Sequence, residues 1–186
     1  MMDQIESHYL LSLGFANARI ADPEKTLRQL RSTSDRIQVQ LLKAGLVAGP
    51  EHLRFAARNA LQSFRGKNPR SKSLAVELLL FISCQRQISK AISLLGVESS
   101  DNRIVLVALS ESTEALHELE KASKSVLGEL DESLVEISSR LKLDEIRRCY
   151  GVSAREMDAA RFLGESDEQV LKRLIVERSA LLSVPD

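Results

Sequence analysis

The sequence predicts an α+β fold: a small, mostly antiparallel sheet covered by several helices, with a helical C-terminal third. Three observations carry this reading. Strand-like apolar runs recur at His8–Ala16, at residues 37–48 and at residues 103–109, far apart in the chain. Amphipathic segments with helix-start residues lie between them. From Glu111 onward only helical spacing remains, with two capping boxes. The 186 residues read as a single domain, any sub-boundary falling near residues 128–131.

The elements follow in order. His8–Ala16 is short, apolar and bounded by polar residues, as a strand is. Asp22-Pro23 opens a helix, Asp as N-cap and Pro where a missing N–H is harmless; Leu27 and Leu30 carry it to about Thr33. In residues 37–48, Ile37, Val39 and Leu41 alternate with polar residues, the pattern of a half-buried strand, and Gly45 marks a bulge or bend. Gly49-Pro50 starts a helix with Leu53, Ala57, Ala60, Leu61 and Phe64 on one face, ended by Gly66.

Residues 74–82 are apolar throughout except Glu77, and their Leu, Ala and Glu content favours a central helix. Ile88, Ala91, Ile92 and Leu95 form a second helical face before Gly96. RIVLVAL, residues 103–109, reads as a strand buried on both faces. Beyond it, Leu116, Leu119, Ala122 and Val126 share a face; Ser153…Glu156 and Ser166…Gln169 fit capping boxes; and the last helix carries Val170, Leu171, Leu174, Ile175 and Leu181.

Composition excludes several classes. Two cysteines, Cys84 and Cys149, form no disulfide framework, and the chain has no Cys-x-x-Cys or Cys/His cluster for zinc. It has neither a Walker loop nor a Gly-x-Gly-x-x-Gly fingerprint, and His8, His52 and His117 lack catalytic partners at local spacing. No run approaches the roughly 18 apolar residues of a bilayer span, and the acidic N-terminus lacks a basic signal region. The reading is a cytoplasmic protein with no membrane partner, no metal, no cofactor and no catalytic residue.

Charge is neutral in total but uneven. Between Arg54 and Lys90 there are eight bases and one acid; from Glu111 to the end, seventeen acids face eleven bases. The basic middle is either a set of solvated helix faces or an anion-binding surface. Arg86-Gln87-Ile88 combines a planar cation, an amide edge and an apolar shelf, which suits an unpaired nucleotide end and equally a protein loop. Glu77 allows two readings: it faces water, or it is buried and braces this corner through Arg86, a base from residues 65–72, or free helix-start N–H groups. Cys84, beside Arg86, reads as a buried inert thiol, with an enzyme working through Cys84 and Glu77 as the competing idea.

VQLLKAGLVAGPEHLRFAARNAL, the Arg70–Glu77 stretch with its Ser-leucine-rich-Glu pattern, LLLFIS and RQISKAISLLGV together resemble the CGI-type small accessory subunit of the KEOPS complex, the family that includes the PRPK-binding protein. The resemblance is specific over residues 39–97, looser over 103–182, and closer to the compact archaeal form. It implies an α+β subunit that is not an enzyme. It further implies a PRPK-type atypical kinase as partner, and binding of tRNA by its single-stranded 3′ CCA end during threonylcarbamoyladenosine modification. The family's Arg-Gln-Ile motif falls on Arg86, Gln87 and Ile88, the implied RNA contacts; Ser73 and Glu77 match the supporting segment. Lys90, Arg65, Lys67, Arg70 and Lys72 join the RNA candidates on charge. One departure is Ser83-Cys84-Gln85, where the family often has a small or glycine-containing turn. A protein-only adaptor that regulates the kinase without touching RNA stays open as the alternative. For the kinase, helical faces around residues 88–95 and 170–180 are both candidates.

Overall fold

The computed structural model describes residues 1–66 and 69–184. Its sheet is antiparallel throughout, in the order β1 (Met2–Ile5), β2 (His8–Ala16), β4 (Ile104–Ser110), β3 (Gln38–Lys43), with the short β5 (Glu129–Leu130) pairing the far end of β2. The helices are α1 (Pro23–Arg31), α2 (Pro50–Arg65), α3 (Leu74–Ser83), α4 (Ile88–Leu95), α5 (Thr113–Leu127), α6 (Arg140–Cys149), α7 (Ala154–Ala160) and α8 (Asp167–Leu181). The fold is α+β, as the sequence predicts.

Period-two side-chain placement divides β4 between two cores. Val105, Val107 and Leu109 pack with Leu53 and Leu61 of α2, Leu78 and Leu80 of α3, and Leu171 of α8. Ile104, Leu106 and Ala108 pack with Leu30 of α1 and Leu116 and Leu119 of α5. Helices therefore cover both faces of the sheet, and β4 is buried along its whole length.

The same layering corrects the reading of β3 as half-buried. Gln40, on the face predicted to meet water, is buried and donates from Nε2 to the carbonyl of Ala75 in α3 at 2.8 Å. A polar residue in an alternating pattern marks solvent only when no second layer sits above it. Gly45 lies in a 3-10 turn, Ala44–Leu46, that leads into α2. Strand β1 is a further addition: its register with β2 is closed by a tight turn in which Glu6 takes a left-handed φ of 54°. In α8 the stripe ends one residue later than predicted. Leu182 is buried, whereas Leu181 is 61% exposed.

Capping follows the sequence. Asp22 accepts from the N–H of Lys25, and both Ser153–Glu156 and Ser166–Gln169 form complete capping boxes. Gly14 has a different reason: a Cβ there would lie 2.2 Å from the carbonyl oxygen of Asp131, which crosses β2 at that point. Among the described residues no single helix is long and apolar enough to cross a membrane.

His52 of α2 is fully buried at the centre of the larger core. Its Nδ1 accepts from the N–H of Ala48 at 3.2 Å, so the ring proton sits on Nε2, 2.9 Å from the carbonyl of Ile82. Burial pushes its pKa down to about 4, the bond to Ile82 opposing this weakly. The unfolded chain binds this proton below its ordinary value of 6.5, whereas the folded chain does not until about 4. Stability is thus complete above pH 6.5 and falls as pH drops toward 4, by about 3 kcal/mol from this group alone. Urea titrations between pH 7 and 5 should show that slope, and it should flatten in His52→Gln even though the variant is less stable.

Candidate functional site

Helix α3 is apolar on every side, so it lies within the core and only its ends can reach the surface. At its first turn, Glu77 is completely buried. Its carboxylate accepts from the Ser63 hydroxyl at 2.6 Å, the Ser71 N–H at 2.9 Å and the Arg70 N–H at 3.3 Å. Of the two readings the sequence allows, the buried one holds, but the group it braces is different. Glu77 ties down the loop at residues 69–73; Arg86 lies beyond the other end of a ten-residue helix, about 13 Å away along the axis. Ser73 takes the N-cap position with an extended backbone and no side-chain cap bond, while the Ser71 hydroxyl donates to the Ser73 carbonyl at 2.7 Å. Ser63 and Ser71 carry no sequence signal for this role; it arises only when the α2–α3 loop folds back on Glu77.

At the other end of α3, Cys84 adopts a left-handed conformation (φ 53°, ψ 33°). Glycine enters that region without strain; here the turn is made by a cysteine. The turn bends the chain by 67° into α4. Gln87 is the N-cap of α4 and supplies no side-chain bond to its first N–H groups. Arg86, Gln87, Ile88 and Lys90 are all exposed, Ile88 at 41%.

Two clefts flank this helix start. One, of about 450 Å³, runs from Cys84–Lys90 to Tyr150, Arg178, Leu181 and Leu182. The other, of about 840 Å³ and shallower, has Ile88 and Val76 on one side and Phe64 and the Arg70–Ser73 loop on the other. Arg70, Lys72 and Ser73 thus line the cleft that holds Ile88, and Arg86, Gln87 and Lys90 line the other. Both arginines also contact the C-terminal turn of α8. Arg70 donates to the Leu182 carbonyl, and Arg86 reaches the carbonyls of Val184 at 3.1 Å and Leu181 at 3.5 Å. Arg65 does not join the group; it turns away to pair with Glu6 at 2.5 Å and the Ser7 hydroxyl at 2.8 Å. Lys67 lies outside the described residues.

Cys84 sits at the floor of the first cleft, its Sγ 3.6 Å from the Ile175 carbonyl. Burial pushes its pKa up to about 12; the Arg178 guanidinium pulls the other way and is outweighed. A thiol held protonated is a poor nucleophile, which counts against an enzyme built on Cys84 and Glu77. Mass-resolved alkylation at pH 8 should label Cys84 at least about a hundredfold more slowly than a free thiol, and denaturant should abolish the difference. Replacing Glu77 by Gln sets an amide N–H₂ against donors and should destabilise the chain by about 2–4 kcal/mol in urea unfolding, with cleavage in the 69–73 loop as a second readout.

The arrangement is a cationic, partly apolar corner between two clefts, built where the buried α3 gives way to α4. Residues 18–183 match the family model for the kinase binding protein CGI-121. The chain is also 30% identical over 138 residues to the regulatory protein Cgi121 of Methanocaldococcus jannaschii, covering 74% of this chain and 81% of that one. The family match begins after β2 and runs through α8, so it takes in β3, β4 and the C-terminal helices as well as the corner: the chain belongs to the CGI-121 family of kinase binding proteins.

Proposed function

We propose that this chain is a non-catalytic accessory subunit of the cytoplasmic KEOPS complex for tRNA threonylcarbamoyladenosine modification. In this reading it binds the kinase-like subunit and recruits tRNA through the single-stranded 3′ CCA end. The observation that supports the RNA contact most is the exposure of Arg86, Gln87, Ile88 and Lys90 on one helix start, with the Arg70–Ser73 loop facing Ile88 across a cleft. A guanidinium and an ammonium attract the backbone, and an apolar shelf beside them accepts an unstacked base. The uncapped N–H groups of α4 add partial positive charge on the same side.

For the kinase, α4 is the better of the two candidate faces. Val170, Leu171 and Ile175 of α8 point into the core, so that stripe is already used. On α4, Ile92 is 54% exposed and stands one turn beyond Ile88, forming an apolar strip with a polar surround. A second reading, the protein-only adaptor, draws on the bonds from Arg70 and Arg86 to the end of α8, which give both cations a use inside the chain.

Gel shifts with intact and CCA-trimmed tRNA at two salt concentrations separate these readings. Under the RNA reading, binding weakens with salt, trimming the end lowers affinity, and Arg86→Glu and Lys90→Glu each weaken it more than tenfold while the proteins stay folded. Unchanged binding by these variants would leave the adaptor. Ile92→Glu should abolish co-elution with the kinase subunit and leave tRNA affinity within about twofold.

A further inference from the structure

The cleft of about 450 Å³ between the start of α4 and the end of α8 holds one more cation than its own turn supplies. Arg86 and Lys90 come from the α3–α4 turn and the first turn of α4; Arg178 comes from α8. No carboxylate lines this cleft. Its two other ionisable groups add no negative charge, because burial raises the pKa of both the Cys84 thiol and the Tyr150 hydroxyl and keeps them protonated at neutral pH. A concave site with three cations and no acid in its lining suits an anion.

Arg178 is held from behind. Its Nη2 donates to Oε1 of Glu156 at 2.6 Å and to the Gly151 carbonyl at 3.2 Å. Glu156 is fixed in turn by the capping box: its Oε2 accepts from the Ser153 N–H at 2.7 Å and from the Ser153 hydroxyl at 2.8 Å. The carboxylate therefore grips one nitrogen of the guanidinium from outside the cleft. Among the described residues Nη1 and Nε of Arg178 make no hydrogen bond, so donors of the planar fork remain for a ligand. The guanidinium also pulls on the Cys84 thiol at the cleft floor, so its field reaches inside. Even with Glu156 set against Arg178, positive charge stays in excess, and the uncapped N–H groups of α4 add to it.

We infer that Arg178 is a third phosphate-binding residue: with Arg86 and Lys90 it closes this cleft around one phosphate of the bound RNA end, and Glu156 is the positioning residue that holds its guanidinium there. The inference rests on the RNA reading above and assigns the phosphate to this cleft, leaving the Ile88 side for a base. It also adds the last helix to the RNA site, which the Arg86-Gln87-Ile88 motif does not include.

Binding of intact and CCA-trimmed tRNA over a series of salt concentrations tests it, with the unaltered chain, Arg178→Gln and Arg178→Lys, each checked for folding by urea unfolding. Arg178→Gln should weaken intact tRNA about tenfold and reduce the slope of log affinity against log salt by about 0.7, the share of one single-strand phosphate contact. Arg178→Lys keeps the charge and should keep the slope. A loss of affinity through disturbed packing would leave the slope of Arg178→Gln unchanged, and that result overturns the inference. A second readout needs no variant to fold: the Nε–H NMR signal of Arg178 in the unaltered chain should shift on addition of a short RNA ending in CCA, and an unmoved signal overturns the inference too. Inorganic phosphate at the same concentration should move it far less; an equal shift would mean that the site takes the free anion, and the RNA assignment falls. If intact and trimmed tRNA bind the unaltered chain alike, the RNA-end reading fails and takes this inference with it. If trimming weakens binding but Arg178→Gln retains the full slope, the inference alone is lost.

Discussion

The structure depends on satisfying the two ends of a helix that has no polar face. Helix α3 is buried at every position except Val76, so most of its terminal carbonyls and N–H groups cannot turn to water. Other elements supply the partners. The Ile82 carbonyl lies 2.9 Å from His52 Nε2 of α2 and 3.0 Å from the hydroxyl of Tyr150, which follows α6; the Phe81 carbonyl accepts from Ser179 of α8 at 3.0 Å. The Tyr150 hydroxyl, with one proton to give, is also within 3.1 Å of the Leu46 carbonyl. Three helices are thus docked onto one buried terminus by hydrogen bonds whose loss would leave polar groups stranded. The opposite end is held by one buried carboxylate and two loop N–H groups.

This arrangement places the cationic corner. Once the end of α3 is pinned, the chain must leave the core there, and the left-handed turn at Cys84 aims α4 outward at 67°. The C-terminal turn of α8 lies alongside, and its carbonyls carry the negative end of a helix dipole. Contacts from Arg70 and Arg86 to that turn orient two cations that would otherwise sample many rotamers. The cationic corner is consequently a property of the α2–α3 loop, the α3–α4 turn and the chain's last helix together.

The charge asymmetry of the chain has a matching structural account. Acids and bases of the C-terminal third largely neutralise each other within it: Arg140 and Arg161 share Asp167, Arg173 pairs with Glu165, and Lys172 bridges Glu136 and Glu168. These pairs contribute little stability each, and they occupy bases of a segment in which seventeen acids face eleven bases. The basic middle contains one acid, and that acid is buried and occupied by the loop. The surplus of positive charge therefore stays near α2, the loop and α4, where the proposed RNA contact lies.

Much of this was legible in the residues because its causes are local. Asp22-Pro23, the two capping boxes, the β-branched run of β4 and the apolar length of α3 each act within a few positions, so periodicity and propensity find them. The helical spacing of Ile88, Ala91, Ile92 and Leu95 put Arg86-Gln87-Ile88 at a helix start, and α4 begins at Ile88. What tertiary structure alone decided involves groups distant in sequence. The strand β1 needed its neighbour; Gln40 became a core residue because a second helical layer covers it; Arg65 left the corner for Glu6 across the α2–β1 contact. Glu77 is the clearest case. The sequence shows an acid that must find partners, but its partners are backbone N–H groups of a loop, and backbone donors look the same in every residue until the chain has folded.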